Sequence, residues 1–162
     1  MTLTRSDRLL RLVALLCLAA VGVALISQYA FDMKPCAWCV LQRLILLAIA
    51  AVCGLASMGW GSVLVRRIGA ALAAVLAASG IVAAWYQHSV ASQMLSCAQT
   101  FADRFISASG LDAALPWLFG IYASCMDARV DLLGVEYALW GLMLFIVCAV
   151  LALAALRRAA RT

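Results

Sequence analysis

Residues 137–156 read YALWGLMLFIVCAVLALAAL, a run without one charged side chain. At about 1.5 Å of rise per helical residue, ~20 such residues cross the ~30 Å hydrocarbon layer of a bilayer. Three further runs of this kind occupy about residues 9–30, 40–58 and 68–86. Their only charges, Arg11 and Arg43, lie within a turn of one end. The whole chain of 162 residues follows suit, at 68% hydrophobic and 12% charged, where a soluble domain carries about 25% charge. The expected fold is all-α: a four-transmembrane-helix bundle forming one integral membrane domain.

Charge placement orients the bundle. Of twelve Lys and Arg, Arg5, Arg8 and Arg11, then Arg66 and Arg67, then Arg157, Arg158 and Arg161 flank spans on one side if four helices alternate. Asp32, Asp103, Asp112, Asp127, Asp131 and Glu136, six of the seven acids, fall on the other. Basic residues mark the cytoplasmic side, so both termini and the turn near residues 59–67 are expected there. The net charge of +5 then reflects topology, and no nucleic-acid partner is implied. Trp38, Trp60, Trp85, Trp117 and Trp140 fall near span ends or in the outer loop, as interfacial belts require. The first span is longer than a signal-peptide core and lacks a small-x-small site before Gln28 and Tyr29, so it is expected to remain as a helix.

The outer side carries a short loop at about 31–39 and a long one at about 87–136. In the long loop, Phe101, Phe105 and Ile106 are read as one helical face opposite Asp103 and Arg104. A short horizontal helix is expected there, lying on the membrane or capping the bundle. Gly110 and Pro116 break the loop beyond it. In the third span Gly69, Ala73, Ala77, Gly80 and Ala84 form a stripe of small residues that permits close helix approach.

Seven cysteines sort by depth. Cys17, Cys53 and Cys148 lie singly within spans and read as small buried apolar side chains. Cys36, Cys39, Cys97 and Cys125 all lie on the outer side, where an even number suggests two disulfides. Three connectivities exist, and the adjacency of Cys36 and Cys39 favours pairing them. Two staples of about 2–4 kcal/mol each and a four-thiolate zinc site are the alternatives. A Cys-x-x-Cys ring is too small to restrain the unfolded chain much. The 28-residue interval from Cys97 to Cys125 is not a second zinc-type Cys-x-x-Cys. Redox exchange accounts best for the set, with no metal.

The local sequence Met33-Lys34-Pro35-Cys36-Ala37-Trp38-Cys39-Val40-Leu41-Gln42-Arg43 sharpens that reading. Pro35 suits a first helical position, placing both thiols where a helix N-terminus favours thiolate. Arg43 stands four residues from Cys39 and so shares its face. An arginine at this depth needs a partner: the Cys39 sulfur, a polar headgroup dissolved in the membrane, or the phosphate layer reached by snorkelling. No dinucleotide fingerprint or paired-histidine site is present. A quinone fits as electron acceptor by size, location and electron count. His88, the sole histidine, ends the third span after Trp85-Tyr86-Gln87 and is a second candidate to touch it, or to shuttle protons.

In these residues the chain resembles the bacterial disulfide bond formation protein B (DsbB) family. The resemblance spans nearly the whole chain. It rests on four spans, on Pro35, Cys36, Cys39 and Arg43, on Cys97 and Cys125, and on Asp131-Leu132-Leu133-Gly134 before the last span. The chain departs from the family's habits at Val130, at Ala138-Leu139 before Trp140, and at Gln42, where an aromatic, a proline and an acid are common. The resemblance implies a thiol:quinone oxidoreductase of the bacterial inner membrane that keeps the periplasm oxidising. Its implied partners are a DsbA-like thioredoxin-fold oxidase, the membrane quinone pool (ubiquinone or menaquinone) and the lipid bilayer. It implies disulfides Cys36–Cys39 and Cys97–Cys125, attack of the soluble partner at Cys97, electron passage through Cys125, and quinone contact by Cys39 and Arg43. A disulfide-stapled membrane scaffold and a related thiol enzyme running in the reductive direction are the other functions in view. The reductive direction calls for an inner Cys-x-x-Cys, which Cys17, Cys53 and Cys148 do not form.

Overall fold

The computed structural model describes residues 5–58, 62–93 and 100–160. Its order is α1 (Arg5–Ala30), α2 (Ala37–Ser57), α3 (Val63–Ser89), a 3-10 turn (Ala91–Gln93), α4 (Phe101–Ser109), α5 (Leu111–Ala114), α6 (Pro116–Phe119), strands β1 (Asp131–Leu132) and β2 (Val135–Glu136), and α7 (Tyr137–Ala159). α1, α2, α3 (through the 3-10 turn) and α7 are long and apolar enough to cross a membrane. α1 packs on α2 and α7, and α3 packs on the same two, while α1 and α3 scarcely touch. The result is a four-helix bundle in which sequential neighbours are spatial neighbours and α1 and α3 form one diagonal.

Packing follows the residue sizes. On α1 the buried residues Leu10, Val13, Ala14, Cys17 and Val21 recur at helical spacing, so one stripe faces inward. Gly69, Ala73, Ala77, Gly80 and Ala84 of α3 are all buried, as the small-residue stripe predicts. Leu15, Leu55, Leu64, Val75, Val82 and Val150 lie exposed on the outside, where lipid rather than water would meet them. Lipid is as apolar as these side chains, so close packing and not hydrophobic burial holds the helices together. Phe145 of α7, fully buried, fills the notch left by Gly80. A Cβ at Gly80 would collide with that ring. Gly80→Ala is therefore expected to destabilise the folded bundle by about 1–3 kcal/mol in SDS titration, as overpacking does. Gly22→Ala, at a position with nothing within 4 Å, is expected to leave the transition unmoved.

The inner end is tied by polar contacts. Asp7, the one acid outside the outer set, is buried 3.6 Å from Arg66, and Arg11 donates to the Ser57 carbonyl at the end of α2. Both basic clusters thus join helices together as well as lining one side of the bundle.

Several outer features differ from expectation. Pro35 is not the first helical residue. Cys36 is the N-cap of α2, with extended backbone, and the helix begins at Ala37. Trp38, at the start of α2, is buried in the protein, its ring 4.7 Å from Tyr86; Trp60 lies outside the described residues. The horizontal helix exists as α4, capped by the Thr100 hydroxyl and closed by Gly110 at φ +69°. It packs on α2. Ile106 does not share the face of Phe101 and Phe105, because five residues turn a helix by about 140° beyond a full circle. Ile106 and Ala102 are buried beneath α4, whereas Phe101 and Phe105 stack 5.8 Å apart on its exposed side. The helix caps the bundle with one face and leaves the aromatic pair outside.

The Asp131-Leu132-Leu133-Gly134 segment is a small antiparallel hairpin, with Asp131 opposite Glu136 and Leu132 opposite Val135. Leu133 and Gly134 both have positive φ, at 55° and 78°, the twist a two-residue hairpin turn needs. The hairpin leads directly into α7, and the Trp140 indole donates to the Leu132 carbonyl at 3.3 Å.

Candidate redox site

The N-cap role of Cys36 sets the geometry of the site. Its sulfur accepts from the Cys39 backbone N–H at 3.4 Å, using a donor that the first turn of any helix leaves unpaired. The two sulfurs stand 3.0 Å apart, in direct contact at the start of α2. Cys36 is fully buried. Its hydrogen bond with the Cys39 sulfur and its burial together hold its thiol well above the ordinary value.

One polar side chain from the spans reaches that sulfur, and two more stand close behind it. Gln87 of α3 donates its amide to Cys39 Sγ at 3.2 Å. Gln42 of α2 donates in turn to Gln87 Oε1 at 2.5 Å, which leaves the Gln87 amide nitrogen facing the sulfur. Arg43 is only 6% exposed, which rules out snorkelling to the phosphate layer. It donates to Gln28 Oε1 at 2.6 Å, to the Leu118 carbonyl at 3.2 Å and to the Ala24 carbonyl at 3.3 Å. Its hydrogen-bond partners are neutral carbonyls from α1 and α6.

Two cavities meet at this point. One, about 360 Å³, opens among the α1–α2 loop, Ala123, Asp127 and Ala128. The other, about 320 Å³, lies between α1, α2 and α7, with Gln42, Gln87, Leu46, Leu144 and Trp140 among its walls. Ala24, Cys39, Arg43 and Tyr137 line both. The second cavity is mostly apolar with a few convergent polar groups, the usual character of a small-molecule site. Its donors, the guanidinium and two amides, suit carbonyl oxygens on a flat apolar ring.

The outer cysteines sit close by. Cys125 is disulfide-bonded and 2% exposed, packed in one cluster with Cys36, Trp38, Ile106 and Phe119. Cys97, the expected partner, lies outside the described residues. The Pro35 carbonyl, one residue before Cys36, accepts from the backbone N–H groups of Tyr122 and Ala123 at 3.0 and 3.3 Å. This clip fixes the Cys125 segment against the Cys36 turn.

His88 is not brought to the sulfur. Its Nδ1 lies 2.7 Å from Glu136 Oε2, which Arg129 Nε also approaches at 3.6 Å, and it lines neither cavity. Gln87, one residue and about 100° earlier on the helix, is the residue that reaches the Cys39 sulfur. Sequence reasoning passed over Gln28, Gln42, Gln87 and Tyr137. The signal available was a trio of amides near the outer ends of otherwise apolar spans, since polar groups at that depth are expensive without a purpose.

With this geometry in view, the comparisons are decisive. The family model described as "Disulfide bond formation protein DsbB" matches residues 6–155. The chain belongs to the DsbB family. Disulfide bond formation protein B of Herminiimonas arsenicoxydans is 33% identical over 138 residues, 85% of this chain and 86% of that protein. Disulfide bond formation protein B 1 of Pseudomonas putida is 33% identical over 153 residues, covering 92% of this chain and 89% of its own. Disulfide bond formation protein B of Verminephrobacter eiseniae is 32% identical over 165 residues, 95% and 88%. A DsbB-type four-helix membrane bundle serving disulfide bond formation is thus the frame in which the cysteines are read.

Proposed function

We propose that this DsbB-family protein re-oxidises a periplasmic thioredoxin-fold disulfide donor and passes the electrons to a membrane quinone, ubiquinone or menaquinone. The observation that carries the reading is the position of Cys39. Its sulfur is paired with Cys36, lines both the outer cleft and the apolar cavity, and lies in each beside Arg43. The arginine bias supports cytoplasmic termini with residues of about 31–39 and 87–136 periplasmic, and the family supports the bacterial inner membrane as the place.

The thiol steps balance in sequence. A reduced partner attacks the Cys97–Cys125 disulfide at Cys97, and Cys125 leaves as thiolate. The partner's second thiol then displaces Cys97, so the partner is oxidised and the outer pair reduced. Exchange with a Cys36–Cys39 disulfide moves the two electrons inward and restores the outer bond. Gln87, itself held by Gln42, fixes the Cys39 sulfur, and Arg43 offers its charge to an oxygen in the apolar cavity. A bound quinone supplies a two-electron, two-proton acceptor soluble in lipid. His88, held by Glu136, braces the outer end of α3 against the hairpin and so keeps Gln87 in place.

The test is an anaerobic assay of the purified protein with a reduced thioredoxin-fold oxidase and decyl-ubiquinone or a menaquinone analogue. One quinol is expected per partner disulfide formed. Partner oxidation that needs no quinone, or none at all with either quinone, would overturn the reading in favour of a stapled scaffold.

A further inference from the structure

Reducing a quinone takes two protons as well as two electrons, and the apolar cavity offers few groups that can supply them. Among the described residues that wall it, Arg43 keeps its charge. The Gln42 and Gln87 amides and the Trp140 indole donate hydrogen bonds without releasing a proton. Apart from the reacting Cys39, the one wall residue whose side chain can give up a proton is Tyr137, through its phenol.

Tyr137 has a particular place. It is the first residue of α7, set by the hairpin before it: its backbone N–H donates to the Val130 carbonyl at 2.9 Å. It lines the outer cleft as well as the apolar cavity. Ser27 of α1 hydrogen-bonds its hydroxyl and lines the outer cleft but not the apolar cavity. The exposed side chains of Asp32, Lys34 and Asp127 line that same cleft. Two exchangeable hydroxyls in contact thus join the outer cleft to the wall of the apolar cavity. Arg43, which lines both spaces, supplies the nearby positive charge that favours a transient phenolate.

We propose that the Tyr137 hydroxyl binds a quinone oxygen in the apolar cavity and delivers to it a proton drawn through Ser27 from the outer cleft. The proposal rests on the reading of that cavity as a quinone site. Closing the Cys36–Cys39 disulfide breaks two S–H bonds, forms one S–S bond and sends two electrons to the quinone. Tyr137 gives its proton to one quinone oxygen and regains one from Ser27, which takes its own from the cleft. Of the two thiol protons, one goes to the second quinone oxygen and one returns to the cleft. Quinol leaves, and the cleft is neither a net source nor a net sink of protons.

The experiment follows decyl-ubiquinone, isotopically labelled at its two carbonyl carbons, bound to the full-length protein in liposomes. Infrared difference spectra of the wild type are expected to show the carbonyl stretches lowered from their free values by hydrogen bonding. Tyr137→Phe keeps the ring and loses the hydroxyl, and one stretch is expected to move back toward its free value. Quinone turnover of this variant is expected to fall by about 100-fold, the lower end of what a positioned proton donor contributes. Ser27→Ala keeps the phenol, and is expected to leave the carbonyl bands at their wild-type positions while slowing turnover. Wild-type carbonyl bands in Tyr137→Phe would overturn the proposal whatever the rate, and make Tyr137 a packing residue. Wild-type turnover in Ser27→Ala would equally overturn it, and this arm serves even where the phenylalanine variant fails to fold. Absence of bound-quinone bands in the wild type would instead count against the functional reading.

Discussion

Arg43→Ala is expected to lower catalytic efficiency toward quinone by roughly 10–100-fold. A hydrogen bond to a charged group contributes about 1.5–3 kcal/mol, and each ~1.4 kcal/mol is tenfold. Single-turnover exchange between the soluble partner and the outer disulfide lies upstream of this residue and is expected to change little. Arg43 also satisfies Gln28 and the Leu118 and Ala24 carbonyls, so the variant carries some structural loss. Arg43→Lys separates the two effects. It keeps a charge in the same cavity but cannot span three acceptors on two helices, and is expected to fall between wild type and alanine in quinone efficiency. An equal loss in the quinone assay and in the quinone-free burst would reduce Arg43 to a folding role.

Cys125→Ser is expected to convert a transient complex into a stable one. Offered the partner in its disulfide form, the Cys97 thiolate opens that bond and holds one partner sulfur as a mixed disulfide. With Cys125 absent only the partner's own second thiol can reverse it, and it is visible as a dithiothreitol-sensitive band on non-reducing gels. Cys97→Ser is expected to trap essentially none in this way. The asymmetry is consistent with burial: Cys125 is 2% exposed, packed beside Cys36, and badly placed to meet a protein from solution. Equal trapping by both variants would mean that the order of the relay is wrong.

The physical reach of the sequence is clear from particular elements. Hydropathy and arginine placement made the four spans legible because length and lipid impose the same requirement on every membrane helix. The stripe from Gly69 to Ala84 was legible for a like reason, since small side chains have little use in a span other than contact. The Cys39–Arg43 face followed from a spacing of four. What could not be read is what depends on two distant segments meeting. The carbonyls that receive Arg43 come from α1 and α6, the amide on Cys39 from α3, and Cys17 meets Cys148 across 131 positions. Local misreadings had simpler causes. Pro35 lies one step outside the N-cap because the Cys36 sulfur itself serves as cap. Ile106 was assigned to the aromatic face by proximity in sequence rather than by angle.

The depth of the site has an electrical consequence. Cys39 is the third residue of α2 and Arg43 the seventh, so at ~1.5 Å per residue both lie within about 10 Å of the helix's outer end. A full crossing of the bilayer by one elementary charge changes its energy by about 2.3 kcal/mol per 100 mV. Electrons that enter at the outer loops and end beside Arg43 cross only the outermost part of that field. On the proposed path, disulfide formation is then neither driven nor opposed to any large extent by the membrane potential. On that path the oxidising force follows the potential of the quinone rather than the membrane voltage, provided that the two protons the quinone takes up also come from the outer side.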